Sequence, residues 1–467
     1  MITVVEPKRP IAALWSEPEI RDGETFRLMR YVLRVDHEGK VLLCNVVTGQ
    51  LAVLDQDEAE LVDKLPAEYS PAMKQLVDEH YLVPDQFDEH QRVVKMREVL
   101  RKLRETRQGS AITTYTILPT TACNARCYYC FEQGVKTVTM TEKTADDVVK
   151  YIAAHCGEEK KVFISWFGGE PTVASGRISR ICEGLRRNGI GYSSTITTNG
   201  YLFDEEMVHT AKTLWNLTHA NITVDGTEET YNRVKAYAGV TDNPYQRVLL
   251  NVGRLLDEGI RVGVRMNFDL GNFNEFPNLL EDLKVRFQGS PLLQVNVHPV
   301  IGEYAEADGV VSHGTDEWFE GKIVELNDMA RSSGMLNESA ELPSMQYKGC
   351  LATSRSAVTI TPEGGLVRCP EQFGEDQLTG NIWGGITNPE LMDSWKQFGD
   401  YAKCKDCILF PYCLRPLRCS AKDRCCFYQE LIQRFQNGAK QVFVSSGDLK
   451  GDVQYGIRRT EGGSCQD

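Results

Sequence analysis

The chain has no long apolar stretch. None of its 467 residues lies in a run of roughly 18 apolar residues, the length that a membrane-spanning helix needs. The first twenty residues, MITVVEPKRPIAALWSEPEI, also lack the basic region followed by an apolar run that is typical of a secretory signal. We therefore expect a cytoplasmic protein with no membrane partner.

The sequence is also short of positive charge. It holds 52 Lys and Arg against 65 Asp and Glu, a formal charge of −13 at pH 7. A general nucleic-acid-binding protein needs a basic surface to contact phosphates, so the charge balance argues against nucleic acid as a partner. Small molecules and polypeptides remain. The chain is long enough for about two to four domains.

Cysteine, by contrast, is abundant, with 15 residues in the chain. In a reducing cytoplasm cysteines seldom form disulfides, so metal ligation is the default explanation where they cluster. Cys123, Cys127 and Cys130 share one short stretch with the spacing Cx3Cx2C. Three thiolates are one short of the four that usually close a four-iron, four-sulfur cluster, which leaves one iron open to a ligand. A zinc knot is the alternative.

This motif resembles the cluster-binding loop of the radical S-adenosylmethionine (SAM) enzymes, with Tyr129 as the aromatic residue before the last cysteine. The resemblance implies a [4Fe-4S] cluster whose free iron chelates the amino and carboxylate groups of SAM, with Tyr129 near the adenine. It also implies reductive cleavage of SAM to methionine and a 5′-deoxyadenosyl radical, which removes a hydrogen atom from an unactivated C–H bond. The sequence assigns no residue to proton transfer.

Residues 111–335 alternate apolar strands with amphipathic helices. Six such units predict an α/β fold, a parallel sheet with right-handed crossovers curled into a partial (β/α)6 barrel. Function in such barrels gathers at the carboxyl ends of the strands. The candidate strands are TTYTILP, KVFISWF, SSTITTN, HANITVD, RVGVRMNF and LLQVNVHPV, and the cysteine loop follows the first.

Motifs at the later strands match SAM-binding positions of the same family. Gly168-Gly169-Glu170-Pro171 matches its GGEP motif, in which paired glycines let the backbone approach a ligand and the carboxylate accepts hydrogen bonds from the SAM amino group. Asn199 and Asp225 match positions that border the ribose and the cavity, although Asn-Gly and Asp-Gly are also common turns. Arg265 suits the SAM carboxylate, with a surface ion pair as the alternative.

The pattern before the barrel is different. Residues 1–22 predict a loosely ordered lead-in, and residues 23–88 show three β-rich runs and then helices, a winged-helix-like α+β layout. This layout and the run LLCNVVTGQLAVLD resemble the PqqD-like recognition elements, which bind leader peptides of ribosomally made precursors as an added strand. A small structural or dimerisation domain is the alternative. Residues 89–110 predict a charged helical linker.

Residues 345–435 are again rich in cysteine. The spacings Cx13Gx4C, from Cys350 through Gly364 to Cys369, and Cx2Cx5C resemble the SPASM domain, which carries up to two auxiliary iron–sulfur clusters. The resemblance assigns the first cluster to Cys350, Cys369 and Cys419. It assigns the second to Cys404, Cys407, Cys413 and either Cys425 or Cys426. Structural zinc sites are the alternative.

Two features depart from the SPASM pattern. Five residues rather than three separate Cys413 from Cys419, and the last cysteine comes early, as the pair Cys425-Cys426. Since the first set has three members, we expect an open iron there or a fourth ligand from elsewhere, with Cys426 the nearest spare. Cys156 and Cys182 lie on helical runs and are expected to be buried apolar residues. Residues 436–467 predict a weakly ordered tail.

Together these resemblances imply a maturase of a ribosomally synthesised precursor peptide, of the sactipeptide or ranthipeptide type, that forms Cys thioether cross-links. The expected cofactors are three [4Fe-4S] clusters and SAM. The expected partners are the precursor peptide and an electron donor such as flavodoxin or ferredoxin. Carbon–carbon cross-linking and side-chain oxidation of the sulfatase-maturing kind are the enzymatic alternatives. A peptide-binding iron–sulfur electron carrier is the non-enzymatic one.

Overall fold

The structure is a computed structural model. It describes residues 3–7, 23–108, 110–287, 289–300, 316–336, 342–346, 350–398, 404–420, 425, 427–447 and 455–459. The candidate ligand Cys426 and the unassigned Cys465 lie outside these ranges. Within them, no helix has both the length and the apolar character needed to cross a bilayer.

The largest unit is a parallel sheet of six strands, β8 to β13, in which each strand pairs with its neighbours along the chain. The strands are β8 (Thr114–Ile117), β9 (Lys161–Trp166), β10 (Gly191–Thr198), β11 (Leu217–Thr223), β12 (Arg261–Phe268) and β13 (Leu293–Pro299). The helices that follow them are α4 (Glu142–His155), α5 (Ser175–Arg187), α6 (Glu205–Thr213), α7 (Glu228–Lys235), α8 (Pro244–Asp257), α9 (Phe276–Phe287) and α10 (Asp316–Ser332). This mixed α/β arrangement fits the expected partial barrel.

The two faces of the barrel strands differ in polarity, because successive side chains of a strand point to opposite faces. On β9, Ile164 and Trp166 are fully buried against the helices, whereas Ser165 between them points to the inner face. The same alternation on the other strands directs polar side chains inward, among them Thr195, Thr223, Arg265, Asn296 and His298. The barrel interior is therefore lined by polar groups.

The carboxyl-terminal segment extends this sheet. Strand β14 (Ala357–Ile360) pairs in parallel with β8, and β15 (Gly365–Val367), β16 (Gly380–Asn381) and β17 (Gly385–Ile386) follow as antiparallel neighbours. Helix α11 (Pro389–Ser394) comes next. The pairing of β14 with β8 brings the segment that contains Cys350 and Cys369 to the first barrel strand.

The amino-terminal module is a meander of β3 (Val32–His37), β4 (Lys40–Asn45) and β5 (Leu51–Leu54) with three helices. The helices are α1 (Gln56–Asp63), α2 (Lys74–Asp78) and α3 (Glu89–Gln108). A second small sheet joins β2 (Thr25–Leu28), β6 (Ala67–Glu68) and β7 (Leu82–Pro84). The meander is followed by helices, and the winged-helix-like layout and leader-peptide binding both stay predictions.

The two ends of the chain meet on this module. Strand β1 (Thr3–Pro7) pairs antiparallel with β5, and β18 (Tyr455–Arg459) pairs with the other edge of β1. The loose lead-in and weak tail stay predictions, within which these two short segments form strands. Their order comes from pairing between residues more than 400 positions apart, which no local pattern reveals.

Helix α12 (Tyr428–Gly447) joins the amino-terminal module to the barrel. Its Phe435 packs in one apolar cluster with Leu33 and Leu42 of the meander. On another face, Glu430 forms an ion pair with Arg331 of α10. Since the amino-terminal module and the barrel share this helix, they are packed together rather than joined only by the α3 linker.

Candidate active site

The barrel loop, residues 123–130, follows β8 at the carboxyl end of the sheet and carries three half-buried thiols. The Ala125 N–H donates a hydrogen bond to Cys123 Sγ at 3.4 Å, and the Glu132 N–H donates one to the Cys130 sulfur. By contrast, the core residue Cys156 donates its own S–H to the Ala153 carbonyl. Sulfurs that accept backbone N–H groups are suited to metal ligation, because such hydrogen bonds stabilise thiolates and tune cluster potentials.

Burial favours the neutral form of all three thiols. Burial raises the pKa of Cys123 to about 12, so the thiolate form needs a positive partner such as iron. The thiolates of an iron–sulfur cluster bind separate irons, and three neighbouring sulfurs in one short loop supply such ligands. The donor set therefore fits a cluster held by Cys123, Cys127 and Cys130.

The Gly168-Gly169 turn packs directly on residues 120–122, which lead from β8 into the barrel loop. A Cβ at Gly168, whose φ is +115°, would lie 2.4 Å from the Thr120 carbonyl oxygen, and one at Gly169 would lie 2.6 Å from those of Thr121 and Ala122. The Glu170 N–H then donates to the Ala122 carbonyl at 2.8 Å. The glycines therefore admit the backbone that precedes the barrel loop, and their contact with a ligand stays a prediction.

The carboxylate of Glu170 is fully buried and accepts four hydrogen bonds within the protein. Its donors are the Thr172 N–H at 3.0 Å, the Thr172 hydroxyl at 2.5 Å, the Thr198 hydroxyl at 2.8 Å and the Asn199 N–H at 2.6 Å. Burial raises the pKa of Glu170, and these donors oppose that rise. Glu170 therefore ties the end of β9 to the end of β10, and Pro171 beside it begins a short helical turn.

Asn199 connects Glu170 to the barrel loop. Its side-chain amide donates to Asn124 Oδ1 at 2.7 Å and lies 4.0 Å from Cys123 Sγ. Its own Oδ1 accepts the Tyr201 N–H at 3.1 Å, which is the turn chemistry that an Asn-Gly pair predicts. Asn199 can therefore be both a turn residue and a residue of the site, since its one amide shapes the turn and also contacts the barrel loop.

Tyr129 is held by a buried ionic network. Its hydroxyl donates to Asp225 Oδ2 at 2.6 Å and accepts from Lys235 Nζ at 3.0 Å and from Asn267 Nδ2 at 2.9 Å. The Lys235 ammonium also lies 2.7 Å from Asp225 and donates to the Thr223 hydroxyl at 2.6 Å. The phenol has used all its hydrogen-bonding capacity, so only its ring is available to a ligand.

Lys235 and Asn267 were missed in the sequence, as was the buried Asp269, which accepts a hydrogen bond from Tyr128. Asp269 and Asn267 lie at the end of β12, where polar residues are a signal for function. Lys235 gives no such signal. It ends α7 beside the αL residue Ala236, in a stretch that reads as an ordinary charged helix end.

Arg265 lies on the inner face of β12, and its Nε is buried with no hydrogen-bond partner among the described residues. The surface ion pair that was the alternative is thus not supported there. Burial and the nearby Arg265 charge lower the pKa of His298, on the next strand, to about 4. A cationic group and a neutral imidazole therefore face the barrel interior, where the guanidinium can pair with a ligand carboxylate.

The first auxiliary set surrounds Cys369. Burial raises its pKa to about 12, and thiolates at Cys350 and Cys419 add to the rise. Arg368, buried beside it, donates to the carbonyls of Ala352 at 2.8 Å, Ala357 at 2.7 Å and Ser354, and so shapes the turn after Cys350. Cys350 precedes β14 and Cys369 follows β15, and both Cys350 and Cys419 influence Cys369 electrostatically.

The second set lies on the auxiliary loop, residues 404–413. Burial raises the pKa of Cys407 to about 11, with further contributions from thiolates at Cys413, Cys404 and Cys425. Cys425 is therefore close enough to serve as the fourth member, although the alternative Cys426 lies outside the described residues. The ligand roles in both sets stay predictions.

The auxiliary loop rests on the amino-terminal module. Phe410 stacks on His90 with ring centroids 4.3 Å apart and lies under the Arg97 guanidinium at 4.4 Å. Arg97 also donates to the carbonyl oxygens of Phe410 and, at 2.8 Å, of Cys413. Helix α3, predicted as a solvated linker, therefore supports a candidate cluster loop through its buried half.

Part of the barrel matches a known family model. Residues 117–283 match the radical SAM superfamily, whose members use a [4Fe-4S] cluster and SAM. The chain is 23% identical to a GTP 3′,8-cyclase of Clostridium perfringens over 62% of this chain and 90% of the cyclase. It is 20% identical to the radical SAM cyclopropyl synthase TigE of Paramaledivibacter caminithermalis over 91% of this chain and 95% of TigE.

Solved structures share the fold at low sequence identity. One is native anSMEcpe with bound AdoMet and the Cp18Cys peptide, at 16% identity and a TM-score of 0.54 over 72% of this chain and 99% of that one. Another is Streptococcus suis SuiB bound to the precursor peptide SuiA, at 15% identity and a TM-score of 0.50 over 87% of this chain and 97% of SuiB. The chain thus resembles these structures in fold over more than the residues 117–283 that match the radical SAM superfamily.

Proposed function

We propose that this protein is a cytoplasmic radical SAM maturase that forms thioether cross-links between cysteine sulfurs and carbon atoms of a ribosomally synthesised precursor peptide. The observation that carries the proposal is the barrel loop, which presents three thiols at the carboxyl ends of a six-stranded parallel barrel matching the radical SAM superfamily. The peptide-bound neighbours anSMEcpe and SuiB support a peptide substrate.

Within this proposal, Cys123, Cys127 and Cys130 hold the SAM-binding cluster, which supplies the electron that cleaves SAM. Arg265 binds the SAM carboxylate, because its guanidinium is buried without a hydrogen bond at Nε. Asn199 and Asp225 border the nucleoside, and the ring of Tyr129 lies against the adenine. Glu170 acts mainly by fixing the strand ends, since its carboxylate is already engaged.

The thioether chemistry balances with SAM as the oxidant. The 5′-deoxyadenosyl group takes a hydrogen atom from a substrate C–H bond, and the substrate thiol loses a proton as the S–C bond forms. The electron released in that step would return through an auxiliary centre held by Cys404, Cys407, Cys413 and Cys425 and replace the one used to cleave SAM, so that SAM is the net oxidant. Overall, the peptide loses two hydrogens for each link, and SAM becomes methionine and 5′-deoxyadenosine. An open iron on Cys350, Cys369 and Cys419 would bind the substrate thiolate.

The amino-terminal module is proposed to bind the leader peptide by strand addition. In the structure, β1 already pairs with β5, and the far edge of β3 has no strand partner among the described residues. The edge of β3 is therefore the one to which a leader strand can be added without displacing the amino-terminal strand.

Carbon–carbon bond formation is the second candidate, because TigE, a cyclopropyl synthase, matches nearly the full length of this chain. Co-expression with a small open reading frame encoded beside this one separates the two. Loss of two hydrogens per link together with loss of alkylatable thiols supports the thioether. The same mass loss with thiols still alkylatable supports carbon–carbon bonding and rejects the thioether.

A non-enzymatic electron carrier is tested without the peptide. Anaerobically reconstituted protein with a reductant and SAM is expected to release 5′-deoxyadenosine, measured by mass spectrometry. A matched sample of the Cys123→Ala variant provides the background. If the wild-type protein releases no more than this background, the enzymatic proposal fails.

A further inference from the structure

Lys235 is the most deeply buried cation beside the candidate cluster loop. Its side chain is 2% exposed, and its ammonium lies 2.7 Å from Asp225, whose side chain is fully buried. The ring of Tyr129 lies 5.6 Å from the same nitrogen. Burial lowers the pKa of Lys235, but Asp225, Cys127 and Tyr129 together raise it well above its usual value. The group is therefore a fixed positive charge.

The main chain at Lys235 also touches the barrel loop. The Lys235 carbonyl accepts the Arg126 N–H at 2.8 Å, and the Asn124 carbonyl accepts the Ala238 N–H at 3.0 Å. Through these contacts the end of α7 lies along the segment between Cys123 and Cys127. A displacement of Lys235 would therefore be transmitted to the loop.

Lys235 and Asp225 bring opposite charges to the same point of the barrel loop. The Lys235 ammonium donates to the Tyr129 hydroxyl at 3.0 Å, and that hydroxyl donates to Asp225 Oδ2 at 2.6 Å, on a residue that lies between Cys127 and Cys130. Stability alone does not account for such a pair, because apolar side chains of the same volume are often as stable as a buried ion pair. A cluster gains one negative charge on reduction, and its potential depends on nearby charge and on hydrogen bonds to its sulfurs.

We propose that Lys235 is a positioning residue that stabilises the reduced state of the cluster on Cys123, Cys127 and Cys130, and that Asp225 balances it. The proposal rests on the cluster assignment of the proposed function but not on the peptide. Tyr129, which contacts both charges and lies between two of the ligands, fixes their distance from the loop.

The test is a redox titration of the full-length reconstituted protein, followed by electron paramagnetic resonance. The signal that changes on SAM addition reports this cluster. Lys235→Met should lower its midpoint potential and Asp225→Asn should raise it, each by at least about 59 mV, a tenfold change in a one-electron equilibrium. The double variant should return close to the wild-type potential, because both charges are gone.

A purely structural role predicts a different outcome, since all three variants would then shift the potential in one direction or leave it unchanged. Either result overturns the proposal. If Lys235→Met does not hold the cluster, Asp225→Asn and the double variant still decide, because an upward shift in the first that the second cancels supports the balance of charge. A wild-type protein without any SAM-responsive signal refutes the cluster assignment itself.

Discussion

The barrel loop and the auxiliary loop are held in place by different kinds of contact. The barrel loop is anchored by buried polar groups of one domain, with Tyr128 on Asp269, Tyr129 on Asp225 and Lys235, and Asn124 on Asn199. The auxiliary loop is anchored by apolar packing of Leu409 and Phe410 and by hydrogen bonds to its carbonyl groups, through contacts with an amino-terminal module more than 300 residues away.

This difference predicts different dependence on metal and on partners. Buried hydrogen-bond networks specify one geometry, because each unsatisfied group would be costly. The barrel loop should therefore keep its shape without iron. The auxiliary loop depends on the docking of α3 and on its own thiols, so its order, its iron and the stability of the amino-terminal module should be coupled.

The largest expected effect is the loss of SAM cleavage. Replacing Cys123, Cys127 and Cys130 with Ala removes every thiol of the barrel loop and should abolish 5′-deoxyadenosine formation. Replacing Cys404 and Cys407 with Ala should leave cleavage detectable but uncoupled from peptide modification. Cys182→Ala, in the barrel core, is the control and should retain both. Equal loss in the first two variants would contradict the separation of the loops.

The next prediction tests how the auxiliary loop depends on its contact with the amino-terminal module. Phe410→Ala removes a ring that is 5% exposed between His90 and Arg97, and should cost about 3–5 kcal/mol of unfolding free energy in the amino-terminal module. Iron content should fall while SAM cleavage persists. Denaturant unfolding and iron analysis measure both effects.

Phe163→Ala is the matched control, because this ring is already 37% exposed and its loss should leave iron content unchanged. If Phe410→Ala loses no iron, the coupling between the module and the loop is absent.

A third prediction concerns the junction of the two regions, where His298 of the barrel packs on Phe427 with ring centroids 5.4 Å apart. Its pKa, lowered to about 4, lies below the usual 6.5. The unfolded chain therefore binds the proton more readily, and stability is present above pH 6.5 and lost as the pH falls towards 4. The loss should be at most about 3 kcal/mol.

His298→Gln should reduce the change in unfolding free energy between pH 6.5 and 4, measured by denaturant titration at each pH. The exposed His209→Gln is the control and should keep the wild-type slope. An unchanged slope in His298→Gln would place the acid sensitivity elsewhere.

The smallest effect distinguishes the two halves of α3. Val93 is fully buried and Leu103 is 49% exposed, although both are apolar residues of the same helix. Val93→Ala should cost about 2 kcal/mol, whereas Leu103→Ala should stay within about 0.5 kcal/mol. Thermal unfolding compares them. A large effect at Leu103 would mean that a partner covers the end of this helix.

The barrel could be predicted from sequence because its signals are local. Apolar alternation marked all six strands, and the spacing of Cys123, Cys127 and Cys130 placed the loop after the first. The motif also led to Glu170, Asn199 and Asp225, all of which contact the loop or its neighbours. The burial of Cys156 and Cys182 followed from helical periodicity in the same way.

The sequence by itself thus determined the fold class, the three thiols of the barrel loop and the polar residues at the strand ends. Only the tertiary structure decided that Lys235 neutralises Asp225, that Phe410 seats the auxiliary loop on α3, and that the chain termini pair beside β5. Each of these contacts joins residues that are distant in sequence or that end an ordinary helix. Periodicity and spacing record which face a residue occupies, but the partner on that face is chosen only when separate segments pack together.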